Sequence, residues 1–250
     1  GETQGTLVSS VSGRSDAFLR KYDAAGTEVW TRQFGSPAAD QALGIALAVT
    51  NLYVVGQTQG TLAAAVGGPQ DAFVRKFDTD GNEVWTRQFG TPSSDTANSV
   101  AADASNVYVG GGTSAALVPP YIGGPADGFL RKLDTGGNEV WTRQFGSVRN
   151  DTVLAVGLDG TGAAVGGLTA GEFNGQTSAG LFDAFIHTFD GNGTAVFVRQ
   201  FGSAGPDMVN GIFTDTRKNI YVAGQADDAL PGQTAAGATD AFVVKLVRKE

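Results

Sequence analysis

The sequence predicts an all-β fold, a β-propeller of four-stranded antiparallel blades, and three observations carry that expectation. The first is a long internal repeat. Asp71 to Gly90, DAFVRKFDTDGNEVWTRQFG, returns as DGFLRKLDTGGNEVWTRQFG at Asp127 to Gly146, identical at 16 of 20 positions. Looser copies begin at Asp16 and Asp183 and a truncated one, DAFVVKL, at Asp240, so the period is 55, 56, 56 and 57 residues. A fixed period of this size marks units that bury their apolar faces against one another. The second is alternation: short runs follow the two-residue period of a strand, and no stretch of eleven or more residues shows a 3.6-residue apolar period, so helix should be nearly absent. The third is the 37 Gly among 250 residues, about twice the usual share, which suits many tight turns.

In chain order, Gly1 to Ser15 correspond to the variable connector of later repeats, and GETQGTL at the start matches GQTQGTL at Gly56 to Leu62, as in a mature or excised fragment. Ala17 to Tyr22 then alternate as a strand. A D-x-x-G turn follows at Asp23 to Gly26, with equivalents at Asp78 to Gly81, Asp134 to Gly137 and Asp190 to Gly193. Asp can accept bonds from the backbone ahead of it and Gly can take positive φ, so this string predicts a tight hairpin loop ending in a bulge. The EVWTRQF segment is the next strand. After it a Gly/Ser/Pro/Asp link (SPAAD, TPSSD, SVRND, SAGPD) leads to an apolar, small-residue strand near Leu43, Asn98, Thr152 and Val209. A strand with an aromatic start and a Gly end follows near Leu52, Val107, Ala163 and Ile220, and a Gly/Ala/Thr connector leads to the next Asp-Ala-Phe strand.

Four strands per period joined mostly by hairpin-length links describe propeller blades. The small-residue strand is expected innermost and the strand carrying Trp30, Trp85, Trp141 and Phe197 outermost, its aromatic wedged between neighbouring blades. Residues 1–250 are expected to form one domain of about 4.5 repeats. Four innermost strands against five Asp-Ala-Phe strands favour four blades, closed by pairing of N- and C-terminal strands; five blades, or an arc of a larger ring, remain open.

The string D-A-F-x-x-K-x-D, a Gly turn, an aromatic strand, a G-x-x-x-D link, a small-residue strand and Y-V-x-G resembles the bacterial SBBP-type β-propeller repeat, over almost the whole chain. The resemblance implies a propeller of secreted or surface-displayed bacterial proteins. It implies no shared reaction.

A formal charge of −8 opposes a phosphate backbone, and no basic patch offsets it, so no nucleic-acid partner is expected. The absence of Cys removes thiol catalysis and Cys-ligated zinc, and apolar runs of strand length broken by Gly give no membrane insertion. His187, the single His, stands where Arg20, Arg75 and Arg131 stand in other copies and reads as a drifted strand residue. The Asp16, Asp71, Asp127, Asp183 and Asp240 series could donate carboxylates to a cation, and Asp78, Asp80 and Asn82 look like the opening of a calcium loop. The terminal ligands of such a loop are missing, so no metal and no cofactor is expected.

Arg32 with Asp40, Arg87 with Asp95, Arg143 with Asp151 and Arg199 with Asp207 recur at a spacing of eight, which predicts a structural ion pair in each blade. Ligand contacts are expected where copies differ, on connectors held by the scaffold: Tyr121, Glu172, Phe173, Asn174, Asp227 and Asp228, with the aromatics suited to stack on a sugar or pack against a partner. The leading expectation is a non-enzymatic binding or scaffold module, extracellular or on a bacterial surface, facing a protein or glycan. The alternatives are a carbohydrate-active enzyme and a building block that self-associates.

Overall fold

The computed structural model describes residues 1–8, 13–64, 67–119, 122–173 and 175–247. Tyr121 and Asn174 lie outside them. Among the described residues there is no helix, and eighteen strands form five antiparallel sheets.

The first sheet has three strands, β1 (Glu2–Thr3), β2 (Asp16–Tyr22) and β3 (Glu28–Phe34). Three complete four-stranded sheets follow in simple up-and-down order. They are β4 (Asp40–Ala48) to β7 (Glu83–Phe89) through β5 (Asn51–Thr58) and β6 (Asp71–Asp78); β8 (Asp95–Ala102) to β11 (Glu139–Phe145) through β9 (Asn106–Thr113) and β10 (Asp127–Asp134); and β12 (Asp151–Leu158) to β15 (Ala195–Phe201) through β13 (Gly162–Thr169) and β14 (Asp183–Asp190). The last sheet has β16 (Asp207–Thr214), β17 (Ile220–Ala226) and β18 (Asp240–Leu246).

The expected turn is present in detail. Asp78 Oδ1 accepts from the Asp80 and Asn82 amides at 2.9 and 2.8 Å, Gly81 takes φ of +79°, and the ladder slips between Lys76 and Phe77, leaving a bulge. These bonds hold the exposed Asp78 carboxyl below its ordinary range, the Asn82 side chain contributing most. The carboxylate that resembled a calcium ligand is therefore occupied in shaping its own loop.

The sheets stack in sequence. First strands β4, β8, β12 and β16 lie against one another in order, and the third strands between them are buried on both faces, as in β6 and β14. Phe89 meets Phe129 edge-on across one seam and Phe145 meets Phe185 across the next, with centroids 5.8 and 6.2 Å apart. At both ends this cover stops. Leu43, Ile45 and Leu47 on β4 are 41, 54 and 63% exposed because, among the described residues, no innermost strand of the first sheet lies on them. β18 alternates between exposed and half-buried residues, since among the described residues no sheet covers its outer face.

The expected seal between the chain's two ends is not formed among the described residues: β18 pairs only with β17, and β2 lies between β1 and β3. Glu2–Thr3 takes the edge of β2 that a strand from the C-terminal sheet would have needed.

Candidate functional site

The residues that recur in register build the seams between sheets. Trp85, on the edge strand β7, donates its indole N–H to the Thr135 carbonyl of the following repeat at 3.2 Å. Arg87 donates Nε to the Gly137 carbonyl and Nη2 to the Gly136 carbonyl, at 3.0 and 3.1 Å, and Lys76 reaches Thr135 at 2.9 Å. Trp30, Arg32 and Lys21 grip the Thr79–Gly81 turn in the same way, and Trp141, Arg143 and Lys132 grip the Gly191–Gly193 turn. Each of the three tryptophans thus lies against a turn of the following repeat.

The expected Arg-to-Asp ion pairs do not form. Arg32, Arg87 and Arg143 spend their guanidinium groups on backbone carbonyls of the next repeat, and Arg199 makes no such clamp among the described residues. Among the described residues the ion pairs join Arg20 to Glu28, Arg75 to Glu83 and Arg131 to Glu139, at 3.3 to 3.4 Å. The reason is geometric: the Asp eight residues on opens the first strand of the next sheet and turns back on its own link. Asp95 Oδ2 accepts from the Thr91 amide and hydroxyl at 2.6 and 2.9 Å, and Asp40, Asp151 and Asp207 hold Ser36, Ser147 and Ser203 likewise. Those four Asp residues are structural, but as loop staples.

Each staple faces a second buried carboxylate at the start of a third strand. A methyl group placed on Gly90 would stand 2.6 Å from Asp71 Oδ1 and 2.7 Å from Asp95 Oδ2, so both oxygens converge on one glycine. Gln88 donates to Asp71 at 2.9 Å, and Gln144 and Gln200 do the same for Asp127 and Asp183. Burial raises the Asp95, Asp127, Asp151 and Asp207 carboxyls above their ordinary values, and the neighbouring Asp71, Asp127 and Asp183 charges add to the rise at Asp95, Asp151 and Asp207.

The seam between the third and fourth sheets also carries a cavity of about 720 Å³. Its walls include Ile122, Val148, Arg149, Glu172, Ser178 and Leu181. Glu172, a sequence candidate, lies on its wall and accepts from the Ser178 amide at 3.3 Å. Ile122, Val148 and Leu181 are 39, 75 and 68% exposed, an apolar rim around one acid and one base. Sequence reasoning missed Arg149, although a signal existed: it is the one charged residue at a link position held elsewhere by Ala38, Ser93 and Gly205.

The other candidates go elsewhere. Phe173 is buried, its ring 5.0 Å from that of Phe185, and its amide bonds Gln200 Oε1, so it is core and offers no stacking face. Asp227 accepts from the Thr239 hydroxyl and Asp228 from the Ala229 amide, both at the last seam and apart from Glu172. His187 is buried among Phe145, Phe173 and Phe189, and burial lowers its pKa to about 4. A neutral ring with no polar partner at Nδ1 among the described residues fits the drifted strand residue expected for it.

Over 273 aligned residues the chain is 33% identical to the regulatory protein FlaEY of Caulobacter vibrioides, an alignment that covers 95% of this chain. The chain spans 28% of that protein's length. The SBBP family model, a beta-propeller repeat, matches residues 84–117 and 196–230. Both matches run from the edge strand of one sheet through the link into the first two strands of the next, the part of the period that makes a seam. The chain thus carries SBBP β-propeller repeats at two places, in the same register of its period.

Proposed function

We propose that this chain is a non-enzymatic binding and scaffolding module, secreted or displayed on a bacterial surface, which takes a protein segment at the cavity of the third seam. The observation that carries the reading is the division of labour among its residues. What recurs in every repeat is consumed in seams, whereas Arg149, Glu172 and Leu181 depart from the pattern and line the same cavity. An apolar rim with one positive and one negative group suits a peptide backbone with mixed side chains. A glycan is the weaker partner here because Phe173, one of the two aromatics expected to stack on a sugar, is in the core, the other, Tyr121, lying outside the described residues. The relative named above is a regulatory protein, and regulation through contact is consistent with a binding role.

Peptide display selection on the immobilised chain is the test. The proposal expects enriched sequences whose binding falls at least tenfold in Arg149→Glu and Glu172→Lys while thermal stability is unchanged. Turnover on a polysaccharide panel, or enrichment indifferent to both substitutions, contradicts it. Self-association is a second reading favoured by one feature, the β18 edge, unpaired among the described residues and carrying Val243, which is 74% exposed. Light scattering showing a monomer at high concentration removes it.

A further inference from the structure

Four seams carry the same pair of buried aspartates, and they differ in what balances the charge. The fifth residue of the third strand decides it. In the second and third sheets that residue is Arg75 or Arg131, whose guanidinium pairs first with Glu83 or Glu139 at 3.3 and 3.4 Å and acts more weakly on Asp40 or Asp95. Asp95 nevertheless stays raised, since its own burial and Asp71 outweigh the guanidinium. In the fourth sheet the position holds His187, neutral above its pKa of about 4, and in the fifth it holds Val244.

Asp127 and Asp151 are fully buried, and the groups that hold them are neutral. Asp127 Oδ2 accepts from Gln144 Nε2 and the Ile122 amide at 2.8 and 3.2 Å, and Asp151 accepts from the Ser147 amide and hydroxyl at 2.6 and 2.9 Å. Among the described residues Asp127 Oδ1 has no hydrogen-bond partner, and a methyl group on Gly146 would lie 3.2 Å from it and 2.6 Å from Asp151 Oδ2. Asp183 and Asp207 repeat this arrangement around Gly202, with Asp183 Oδ1 likewise unpartnered. Two buried carboxylates without a cation are costly, and a proton or a metal ion must relieve them.

We propose that the Asp127/Asp151 and Asp183/Asp207 pairs each bind a hard divalent cation, Ca²⁺, which does at the last two seams what an arginine does at the first two. The available donors are all oxygen, which selects Ca²⁺ over zinc or copper. Among the described residues no third His, Cys, Asp or Glu joins either pair in metal-binding spacing, so backbone carbonyls and water complete the shell, as calcium accepts. The ion ties the third strand of one sheet to the first strand of the next, and so locks a seam.

Titration calorimetry on the full chain, stripped with a chelator, reads the stoichiometry. The expected result is two Ca²⁺ in the parent chain, one in Asp127→Asn and one in His187→Arg, which installs the guanidinium of the neighbouring repeats. Asp78→Asn, in an exposed turn, keeps two. At a Ca²⁺ concentration about a hundredfold above Kd the parent Tm rises by about 5 °C or more, and His187→Arg loses about half of that gain. One ion that His187→Arg removes keeps Asp127/Asp151 and discards Asp183/Asp207. No heat with Ca²⁺, as for a carboxyl pair that shares a proton, overturns the proposal. Two ions retained in His187→Arg overturn it equally, and that variant decides the matter should Asp127→Asn fail to fold.

Discussion

Gly26 and Gly81 occupy the same place in the same turn, with φ of +81° and +79°, and differ in what stands over them. Nothing lies within 4 Å of a methyl group on Gly26, whereas one on Gly81 would lie 3.1 Å from the Trp30 ring. Gly26→Ala should therefore cost about 1–2 kcal/mol of left-handed backbone strain, and Gly81→Ala that cost plus a displaced indole, about 1 kcal/mol or more beyond it. Urea denaturation of the two variants measures the difference. Equal losses would mean that Trp30 does not rest on the turn. His187 makes a second residue-level case. In the unfolded chain it takes a proton near pH 6.5, but folded it resists protonation until about pH 4. Its contribution is full above pH 6.5 and falls away as the pH drops towards 4, by up to about 3 kcal/mol. His187→Phe should flatten that part of the stability profile, and a slope unchanged from pH 7 to 4 would show the ring to be solvated.

At the scale of the element, the edge strand is the unit that joins one sheet to the next, and its worth depends on having a following turn. Trp85 is half-buried against Tyr53 and the next repeat, while Phe197 at the equivalent place on β15 is 40% exposed. Trp85→Ala should cost about 3–5 kcal/mol, in the range of large core truncations, and Phe197→Ala about 1 kcal/mol. Arg87→Ala, which removes three charged hydrogen bonds near the surface, two of them to the next repeat, should cost about 1–3 kcal/mol. Thermal melts rank the three, and a Phe197→Ala loss as large as that of Trp85→Ala would contradict the role given to the turn. Here the limits of the sequence are physical. The hairpins were legible because Asp and Gly have local reasons to stand where they do. The partners of Arg32, Arg87 and Arg143 were not, because their acceptors are backbone carbonyls, which every residue has. A spacing of eight looked like a pair within one blade, yet the link between β7 and β8 carries Asp95 into another sheet.

For the whole molecule, the all-β repeat was legible from the period alone, and the number of sheets was not. Strand counts treated the two ends as halves of one blade, whereas Glu2–Thr3 gives the first sheet its own third strand and, among the described residues, β18 pairs only with β17. The cavity was legible only in part: Glu172 departs visibly from the repeat, but its neighbour Arg149 sits 23 residues earlier and meets it through the fold. The claim beneath these observations is that each sheet is fastened to the next by its edge strand closing on the following turn. Amide hydrogen exchange in the parent chain and in Trp85→Ala tests it directly. The account predicts faster exchange in the turn Asp134–Asn138 of the following repeat, with the turn Asp78–Asn82 of its own hairpin unchanged. Faster exchange confined to Asp78–Asn82 would contradict it.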